Sequence, residues 1–416
     1  MKKISPEIIT GSRLWKPSLH QGFSVKSNSW FTIASKRAIK IPYQHINAET
    51  NFIRCKQVKL NPTLKQRNLL LSWMEAYRIT YNITVKYLKK HCDIAFSKYN
   101  LRSIIKQEIA NNAYLKTLFK TIKVPVHTLD NAIFDVIKAR KAAFANLRLK
   151  NIKHFRMRYK KQSHHKKILV LEPTVFNIKG TGLKNKLLNN LRPSENIISD
   201  KDTRLQYNDR TKKFILFIPF NKKTTIKVNR HNACALDPGI RTFQTAYADG
   251  ITYQFSDTNV IKNNINRIEK VKNLKGKKWY KTYVNRLREK LKNRIADLHW
   301  KTASFLCKNF DTILIGNMST KEIVTKSLNS HTKRMAYALS HFLFKQRLAS
   351  KADEYNCKFK IVDESYTSKT CGGCGKLHDN LGSSSIFECP HDHCYYRMNR
   401  DIHGARNIYI KNSNLL

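Results

Sequence analysis

The sequence predicts an α+β protein of several domains. Segments with apolar residues at helical spacing alternate with short apolar runs that end at turn residues, which is the pattern of helices mixed with strands. The 416 residues suggest about two to four domains, and the 41% of hydrophobic residues supplies side chains for more than one core. No run approaches the roughly 18 apolar residues of a membrane helix, and residues 1–30 contain no apolar signal segment. We therefore expect neither a transmembrane helix nor a secretory signal.

The composition is strongly basic. The chain contains 79 Lys and Arg residues against 28 Asp and Glu residues, a net charge of +51. Such a protein repels itself unless a polyanion offsets the charge, so nucleic acid is the expected partner and an ordinary small-substrate enzyme is excluded. The cations are spread from a basic N-terminal extension at residues 1–50 to residue 411, which favours a long wrapped nucleic acid. A basic ribosome-associated protein and a compositional drift towards lysine are the alternatives.

Residues 62–150 predict a helical recognition lobe. The first helix begins near Thr63, and two more cover residues 100–121 and 127–149, separated by Pro125. A bundle whose basic face is merely solvated is the alternative, but the overall charge favours binding of nucleic acid. The first helix has apolar residues every three or four positions: Leu70, Met74, Tyr77, Tyr81, Val85 and Leu88.

The segments on either side of this lobe predict a small, wedge-like β-barrel that the helical bundle interrupts. The barrel takes in residues 51–61 and 151–229, with strands at 168–171 and 214–218. A basic run with interleaved aromatic residues at 151–167 suits contact with a nucleic-acid backbone and stacking on bases. Packed aromatic residues explain that run equally well.

Residues 230–370 and 395–416 predict a further domain. Three strands come first, and the second and third flank Asp249-Gly250, which is a strong hairpin signal. Helices then alternate with two more strands, and one of these helices covers about residues 331–355. Three hairpin strands followed by helix–strand–helix–strand is the order of the ribonuclease-H-like fold. The five strands are expected at 233–236, 243–247, 251–255, 312–315 and 359–362.

Three acidic residues stand where such a fold brings side chains together. Asp237 and Glu364 each follow a predicted strand, and the C-terminal ends of parallel strands line the functional crevice of an α/β sheet. Asp401 begins the last helix, and three carboxylates at one place need cations between them, such as two Mg²⁺ ions about 4 Å apart. Taken singly, the acids are explained as a turn cap, a surface residue and a helix cap. The last helix should pack on the sheet through Ile402, Ala405 and Ile408.

Four cysteines predict a zinc finger at residues 371–394, inserted into this domain. Two closely spaced pairs supply four thiolates, which close a tetrahedral site and leave no open position, so we expect a structural zinc ion. The five other cysteines are scattered, which indicates a reducing compartment and no disulfide framework. A neighbouring histidine is the alternative to one cysteine, namely His378, His391 or His393. The expected ligands are Cys371, Cys374, Cys389 and Cys394.

Short motifs in this domain resemble those of the TnpB nucleases of transposons, and more closely those of the Fanzor proteins of eukaryotes and viruses. Asp-Pro-Gly at 237–239 is similar to the first RuvC motif, and Asn-Arg-Asp at 399–401 with Ala-Arg-Asn at 405–407 is similar to the third. Tyr-Thr-Ser at 366–368, ahead of the first cysteine pair, is similar to the start of the family's zinc knuckle. The resemblance covers residues 53–416 and is most specific in the C-terminal motifs.

One position departs from the TnpB pattern. TnpB proteins have a second-motif glutamate after the strand that corresponds to residues 312–315, where this chain has Gly316. Fanzor proteins lack that residue and use a glutamate just before the Tyr-Thr-Ser run, which is the position of Glu364. Asp363 is the adjacent competitor, but side chains alternate along a strand, so we expect only one of the two to face the site.

The resemblance implies an RNA-guided DNA endonuclease with a RuvC-like site. Its expected partners are a guide RNA with a structured scaffold and a double-stranded DNA target, selected by guide pairing and a short flanking DNA motif. Its expected cofactors are two catalytic Mg²⁺ ions held by Asp237, Glu364 and Asp401, and one structural Zn²⁺ ion.

We expect a monomer, located in the nucleus if the source is a eukaryote or a eukaryotic virus, and otherwise in the cytoplasm. Two alternatives remain for the function. One is a catalytically inactive RNA- and DNA-binding member of the same family, and the other is an RNA-independent recombinase of the DDE type.

Overall fold

A computed structural model describes most of the chain. The chain divides into two compact units, one of residues 53–222 and one that joins residues 1–52 to residues 223–416. Of the predicted extension at residues 1–50, the structure describes only the short strand β1 (Ser18–Gln21). Among the described helices, none combines the length and apolar character needed to cross a membrane. The described residues are 18–21, 51–91, 97–224, 231–256, 258–277, 279–325, 328–382 and 384–415.

The first unit contains a sheet formed by β2 (Asn51–Leu60), β3 (Lys166–Leu171), β4 (Thr203–Asn208) and β5 (Lys213–Lys223), in the order β2-β5-β4-β3. Both predicted strands are present as β3 and β5, and β4 pairs antiparallel with each. Strand β4 was not predicted, because Leu205 and Tyr207 are its only apolar residues. The outer strands β2 and β3 do not pair with each other in the described residues, so the predicted closed barrel is not confirmed.

The α-helices described in this unit are α1 (Leu64–Lys90), α2 (Lys98–Ala110), α3 (Ala113–Ile122) and α4 (Val126–Arg148). Helix α1 begins where the sequence predicts, because Thr63 and Gln66 form a capping box in which each side chain accepts from the other's backbone N–H. All six apolar residues predicted for its inner face are buried. They share one hydrophobic core with sheet residues such as Leu169 and Leu205.

The single helix predicted at residues 100–121 is wrong, since the structure has two helices there. Asn111 ends α2, and the Asn112 side chain begins α3 by accepting a hydrogen bond from the Leu115 N–H at 3.0 Å. Asparagine favours such caps over helix interiors because its amide competes for backbone hydrogen bonds. Apolar spacing alone does not reveal this break.

The sheet of the second unit contains β6 (His231–Pro238), β7 (Gln244–Ala248), β8 (Ile251–Phe255), β9 (Phe310–Gly316) and β10 (Lys358–Val362). The strand order is β1-β8-β7-β6-β9-β10, with β6, β7 and β8 antiparallel and β6, β9 and β10 parallel. Asp249 (φ 42°) and Gly250 (φ 88°) form the predicted turn between β7 and β8. The strand sequence expected of a ribonuclease-H-like domain is therefore present, and β1 extends it antiparallel to β8.

Helices cover both faces of this sheet: α5 (Thr258–Lys270), α6 (Tyr280–Asn309), α7 (Thr320–Thr325), α8 (Ser330–Leu339), α9 (His341–Tyr355) and α10 (Arg400–Lys411). Residues of α6, α8 and α9 share a core with Cys234 and Leu236 of β6. Helix α10 packs on the opposite face, against Ala233 and Ala235 of the same strand. The face that α10 covers is the one that bears the candidate site.

The single helix predicted at residues 331–355 is also wrong, because it is interrupted at Ser340. This residue has a φ of 50°, in the left-handed region, and separates α8 from α9. Its hydroxyl donates to the backbone oxygen of Tyr337 at 3.0 Å, which satisfies one carbonyl at the end of α8. A non-glycine residue in this conformation is uncommon, so the sequence gives little sign of the break.

Candidate active site

Asp237 lies on the side of the sheet that α10 covers. Ala233 and Ala235 of β6 pack against α10, and side chains alternate along a strand, so Asp237 points to the same side. Its carboxylate lies directly against Gly404 of α10, because a Cβ built on that glycine would overlap Asp237 Oδ2. Glycine at position 404 therefore allows the helix to approach the acid.

The Glu364 carboxylate occupies the space beside Gly316. Leu314 of β9 and Val362 of β10 belong to the core under α10, and Gly316 and Glu364 each lie two residues further along. A Cβ built on Gly316 would overlap Glu364 Oε2. The relocated glutamate thus reaches the end of the neighbouring strand, where the TnpB pattern has its own glutamate.

Asp401 lies in the first turn of α10 but does not cap the helix. The cap is Asn399, whose side chain accepts hydrogen bonds from the backbone N–H groups of Asp401 at 3.0 Å and Ile402 at 3.3 Å. The Asp401 carboxylate is free for another role, and its Oδ2 accepts a hydrogen bond from Thr242 Oγ1 at 3.0 Å. Thr242 belongs to the loop between β6 and β7, so this bond joins the helix to the strand that bears Asp237.

The three acids interact electrostatically through Asp237. Dense packing raises the pKa of Asp237 well above its usual value, and the negative charges of Glu364 and Asp401 raise this pKa further. The guanidinium of Arg400 acts in the opposite direction. The structure therefore brings the three predicted acids into one electrostatic cluster at one edge of the sheet.

Glu364 is held by a lysine and a backbone amide. Burial raises its pKa, whereas the charge of Lys345 and a hydrogen bond from the Met318 backbone oppose this shift. Lys345 Nζ also donates to the Met318 carbonyl oxygen at 3.3 Å, so it fixes the segment that contacts Glu364. Among the described residues Glu364 Oε2 has no hydrogen-bond partner although this atom is buried, which suits an oxygen that binds a cation.

The donor set fits hard divalent cations. All three acids are half-buried, and carboxylate ligands suit Mg²⁺. Among the described residues, the only group of three or more candidate ligands within 4.8 Å of one another consists of cysteines. The oxygens of the three acids are therefore spaced more widely than the ligands of one ion.

Asp363 faces away from this cluster, as the alternation of side chains predicts. Its carboxylate is exposed, and it accepts hydrogen bonds from Lys411 Nζ and Ser365 Oγ, both at 2.6 Å. These bonds lower the pKa of Asp363 to about 2. Asp363 is therefore a surface ion-pair residue, and Glu364 is the acid that reaches the site.

The four predicted cysteines form a metal-binding cluster. Their Sγ atoms all lie within 4.8 Å of one another, and two of the separations, Cys371–Cys394 and Cys374–Cys389, are 3.7 Å. A tetrahedron with Zn–S bonds of about 2.3 Å has sulfur atoms roughly 3.8 Å apart, so the cluster has the dimensions of a Zn²⁺ site. None of the three neighbouring histidines belongs to this group.

The cysteine module is bonded to the helix that contains Asp401. The His403 ring stacks on Phe387 at 4.0 Å between ring centres, and its Nε2 accepts from the Gly372 N–H at 3.2 Å. Arg406 Nη1 donates to the Gly372 carbonyl at 3.0 Å, and Asn407 Nδ2 donates to two further carbonyls of the segment before Cys371, each at 2.8 Å. These bonds fix the orientation of α10.

The contact predicted for Ile402 is wrong. Ala405 and Ile408 pack on the sheet as expected, but Ile402 belongs to the core of the cysteine module, with Cys371 and Phe387. The short hairpin of this module consists of β11 (Ile386–Glu388) and β12 (Arg397–Asn399). The first turn of α10 therefore packs on the module, and only the later turns pack on the sheet.

Sequence reasoning missed two residues that interact with the acids, Lys345 through its charge and Thr242 through a hydrogen bond. Lys345 lies among the buried residues Phe344 and Leu348 of α9, and a charged residue within an apolar stripe was a signal available in the sequence. Thr242 gives no comparable signal, because the 159 residues that separate it from Asp401 conceal the contact.

The comparison with known proteins agrees with the motifs. A family model described as Cas12f1-like, TNB domain, matches residues 341–408, which include Glu364, Asp401 and the four cysteines. TnpB-like protein L770 of Acanthamoeba polyphaga mimivirus is 29% identical over 387 residues, covering 86% of this chain and 73% of that protein. These matches support a TnpB/Fanzor-like family for this chain. The resemblance inferred from the sequence is thereby confirmed.

Other proteins that are similar to this chain bear different names. Putative transposase A625R of Paramecium bursaria Chlorella virus 1 is 29% identical over 426 residues, covering 93% of this chain and 95% of that protein. The CRISPR-associated endodeoxyribonuclease Cas12f1 of Sulfoacidibacillus thermotolerans is 35% identical over 74 residues, which are 18% of this chain and 17% of that protein.

Proposed function

We propose that this TnpB/Fanzor-like protein is an RNA-guided DNA endonuclease that hydrolyses phosphodiester bonds at a RuvC-like site. The observation that supports this most strongly is the convergence of Asp237, Glu364 and Asp401 at one edge of the sheet. Asp237 is electrostatically coupled to both of the other acids. Three carboxylates from distant parts of the sequence repel one another at one place unless cations lie between them. A role as ordinary surface residues does not account for this arrangement.

The arrangement assigns a role to each acid. Asp237, which interacts electrostatically with both other acids, would hold the cations together with Glu364 and Asp401. Two bound Mg²⁺ ions would supply a water of lowered pKa and stabilise the leaving oxygen of the phosphodiester. Thr242 holds Asp401, and Met318 with Lys345 holds Glu364, so the carboxylates are oriented before substrate arrives.

The four cysteines would hold one structural Zn²⁺ ion. Four thiolates leave no position for a water or substrate, so this ion would not take part in the chemistry. Its contribution is to stabilise the module that the first turn of α10 packs against, and so to fix the position of Asp401.

The substrate and partners follow from charge and family. A net charge of +51 suits a protein that encloses a structured guide RNA and double-stranded DNA. One relative is named an endodeoxyribonuclease and is CRISPR-associated, which supports DNA as the substrate and guide pairing as the means of selection. A short DNA motif beside the target would be read by the protein. We propose a monomer that acts in the nucleus of a eukaryote, or of the host of a eukaryotic virus, and otherwise in the cytoplasm.

The test begins with the RNA that co-purifies with the protein. We expect one abundant, discrete RNA, and we expect the complex to cut double-stranded DNA that matches its guide segment only when Mg²⁺ is present. Cleavage or strand transfer by RNA-free protein would instead identify a recombinase of the DDE type. RNA-dependent DNA binding without cleavage at any Mg²⁺ concentration would identify an inactive binding protein.

A further inference from the structure

The loop between β6 and β7 connects the first acid of the site to the third. Thr242 lies five residues after Asp237 and is half-buried. Its Oγ1 donates to Asp401 Oδ2 at 3.0 Å, although the two residues are 159 positions apart in the sequence. One carboxylate oxygen of Asp401 is therefore engaged by a neutral donor, which leaves the other oxygen for a cation.

The loop is shaped so that Thr242 reaches Asp401. The Gly239 N–H donates to the Phe243 carbonyl at 3.3 Å and closes the turn. A Cβ built on Gly239 would lie only 2.6 Å from the Thr242 carbonyl oxygen, so only glycine permits this close approach. The close packing of the turn therefore requires glycine at position 239, and this requirement is independent of Asp237.

Phe243 fixes the far end of the loop. Its side chain is fully buried, and its ring is stacked between His299 at 5.0 Å and His341 at 5.2 Å, with interplanar angles of 10° and 22°. Phe344 packs on it edge-on at 4.9 Å. Burial lowers the pKa of His299 to about 4 and that of His341 to about 3, so both rings are neutral near pH 7 and stack without repulsion.

We propose that Thr242 is a positioning residue for metal binding by Asp401, held in place by the Gly239 turn and the buried Phe243 ring. The inference rests on the proposed metal site and adds to it the group that selects the orientation of one ligand. Hydrogen bonds to metal ligands fix their rotamers, and their loss typically costs about 10- to 100-fold in metal affinity or activity.

The test measures metal binding directly in the full-length protein without substrate. Mn²⁺, a paramagnetic substitute for Mg²⁺, is titrated and its free fraction is followed by electron paramagnetic resonance. We expect Thr242→Val, which keeps the shape but removes the hydroxyl, to bind Mn²⁺ about 10- to 100-fold more weakly. Thr242→Ser, which keeps the hydroxyl, should restore most of the affinity.

A second buried threonine provides the matched control. Thr302 is fully buried, and among the described residues its hydroxyl has no hydrogen-bond partner. Thr302→Val should therefore leave Mn²⁺ affinity unchanged. If Thr242→Ser binds Mn²⁺ as weakly as Thr242→Val, or if Thr302→Val has the same effect as Thr242→Val, packing and not the hydroxyl is responsible, and the inference fails.

A third variant separates this inference from the proposed function. Asp237→Ala should abolish the Mn²⁺ binding that the wild-type protein shows. If Asp237→Ala binds Mn²⁺ as the wild type does, the metal site itself is wrong. If Asp237→Ala loses the ion while Thr242→Val keeps wild-type affinity, the metal site stands and only the role of Thr242 is overturned.

Discussion

At the end of β9, Gly316 leaves room for the Glu364 carboxylate that reaches over from β10. A Cβ at position 316 would overlap Glu364 Oε2, so a side chain there would force the Glu364 carboxylate out of its present position. We expect Gly316→Ala to displace Glu364 and lower cleavage roughly 100-fold, because misplacement by about 1 Å has that cost. Gly276→Ala is the control, since nothing lies within 4 Å of a Cβ built there. Equal cleavage rates for the two variants, at equal RNA loading, would contradict the account.

Adjacent carboxylates give a matched test of the relocated acid. Glu364→Ala should lower single-turnover cleavage by roughly 10³-fold, because the loss of a metal ligand removes several kcal/mol of transition-state stabilisation. Asp363→Ala should cut at a rate near that of the wild type, since its exposed carboxylate bonds to Lys411. Wild-type cleavage by Glu364→Ala, with normal RNA binding, would show that another residue supplies this ligand.

Ionised Asp237 destabilises the metal-free protein. The pKa of Asp237 is raised on folding, so the folded state holds the proton more tightly than the unfolded state does. The free energy of unfolding therefore falls as the pH rises from the usual aspartate pKa of about 3.9 through the raised pKa. Without Mg²⁺, Asp237→Asn should therefore melt at a higher temperature than the wild type near pH 8, with a smaller difference near pH 5. Thermal melts in chelator test this, and a difference that does not grow with pH would contradict it.

At the scale of elements, α10 is the structure on which the site depends most. It bears Asp401, approaches Asp237 through Gly404, and bonds to the cysteine module through His403 and Arg406. Because Ile402 packs in the core of that module, loss of the metal would loosen the first turn of the helix. The cysteine module and the candidate site are thereby connected through one helix.

Replacement of one cysteine tests this coupling. We expect Cys394→Ser to lose zinc, lower the melting temperature of the nuclease domain and reduce cleavage, since zinc binding in such modules supplies folding free energy. Cys55→Ser is the control, because Cys55 is exposed in the other unit and outside the cluster. Zinc content by mass spectrometry and thermal melts are the measurements. Full zinc occupancy and unchanged melting of Cys394→Ser would exclude a structural role.

The sequence predicted those elements whose signals are local and periodic. The start of the first helix near Thr63, the Asp249-Gly250 hairpin and the apolar strands before Asp237 and Glu364 all depend on near neighbours. The breaks at Asn112 and Ser340 were missed, because a polar cap or a left-handed residue interrupts a helix without changing the apolar spacing. Strand β4 was missed because it contains few apolar residues, which gives only a weak strand signal.

The candidate site was predictable only in part. The acids and cysteines occur in short motifs, so their identity could be read from the sequence. The contact between Thr242 and Asp401 and the fit of Glu364 beside Gly316 depend on how distant segments pack, which no local pattern encodes. Lys345 was predictable in part, because the sequence shows that it lies on a buried helix face but does not show that it interacts with Glu364.

Over the whole chain, the net charge of +51 fits the proposed nucleic-acid partners, and the chain forms two compact units. One unit has its own core of helices and sheet, and the other contains the acids and the cysteine module. The proposed activity requires that the three acids bind cations together, because guide RNA and target DNA alone supply no means to break a phosphodiester bond.

Anomalous diffraction from crystals grown with Mn²⁺ tests this requirement most directly. We expect two Mn²⁺ peaks about 4 Å apart, with carboxylate oxygens of Asp237, Glu364 and Asp401 as ligands. A map with no Mn²⁺ at these residues under saturating metal, or with Glu364 turned away from the ions, would contradict it.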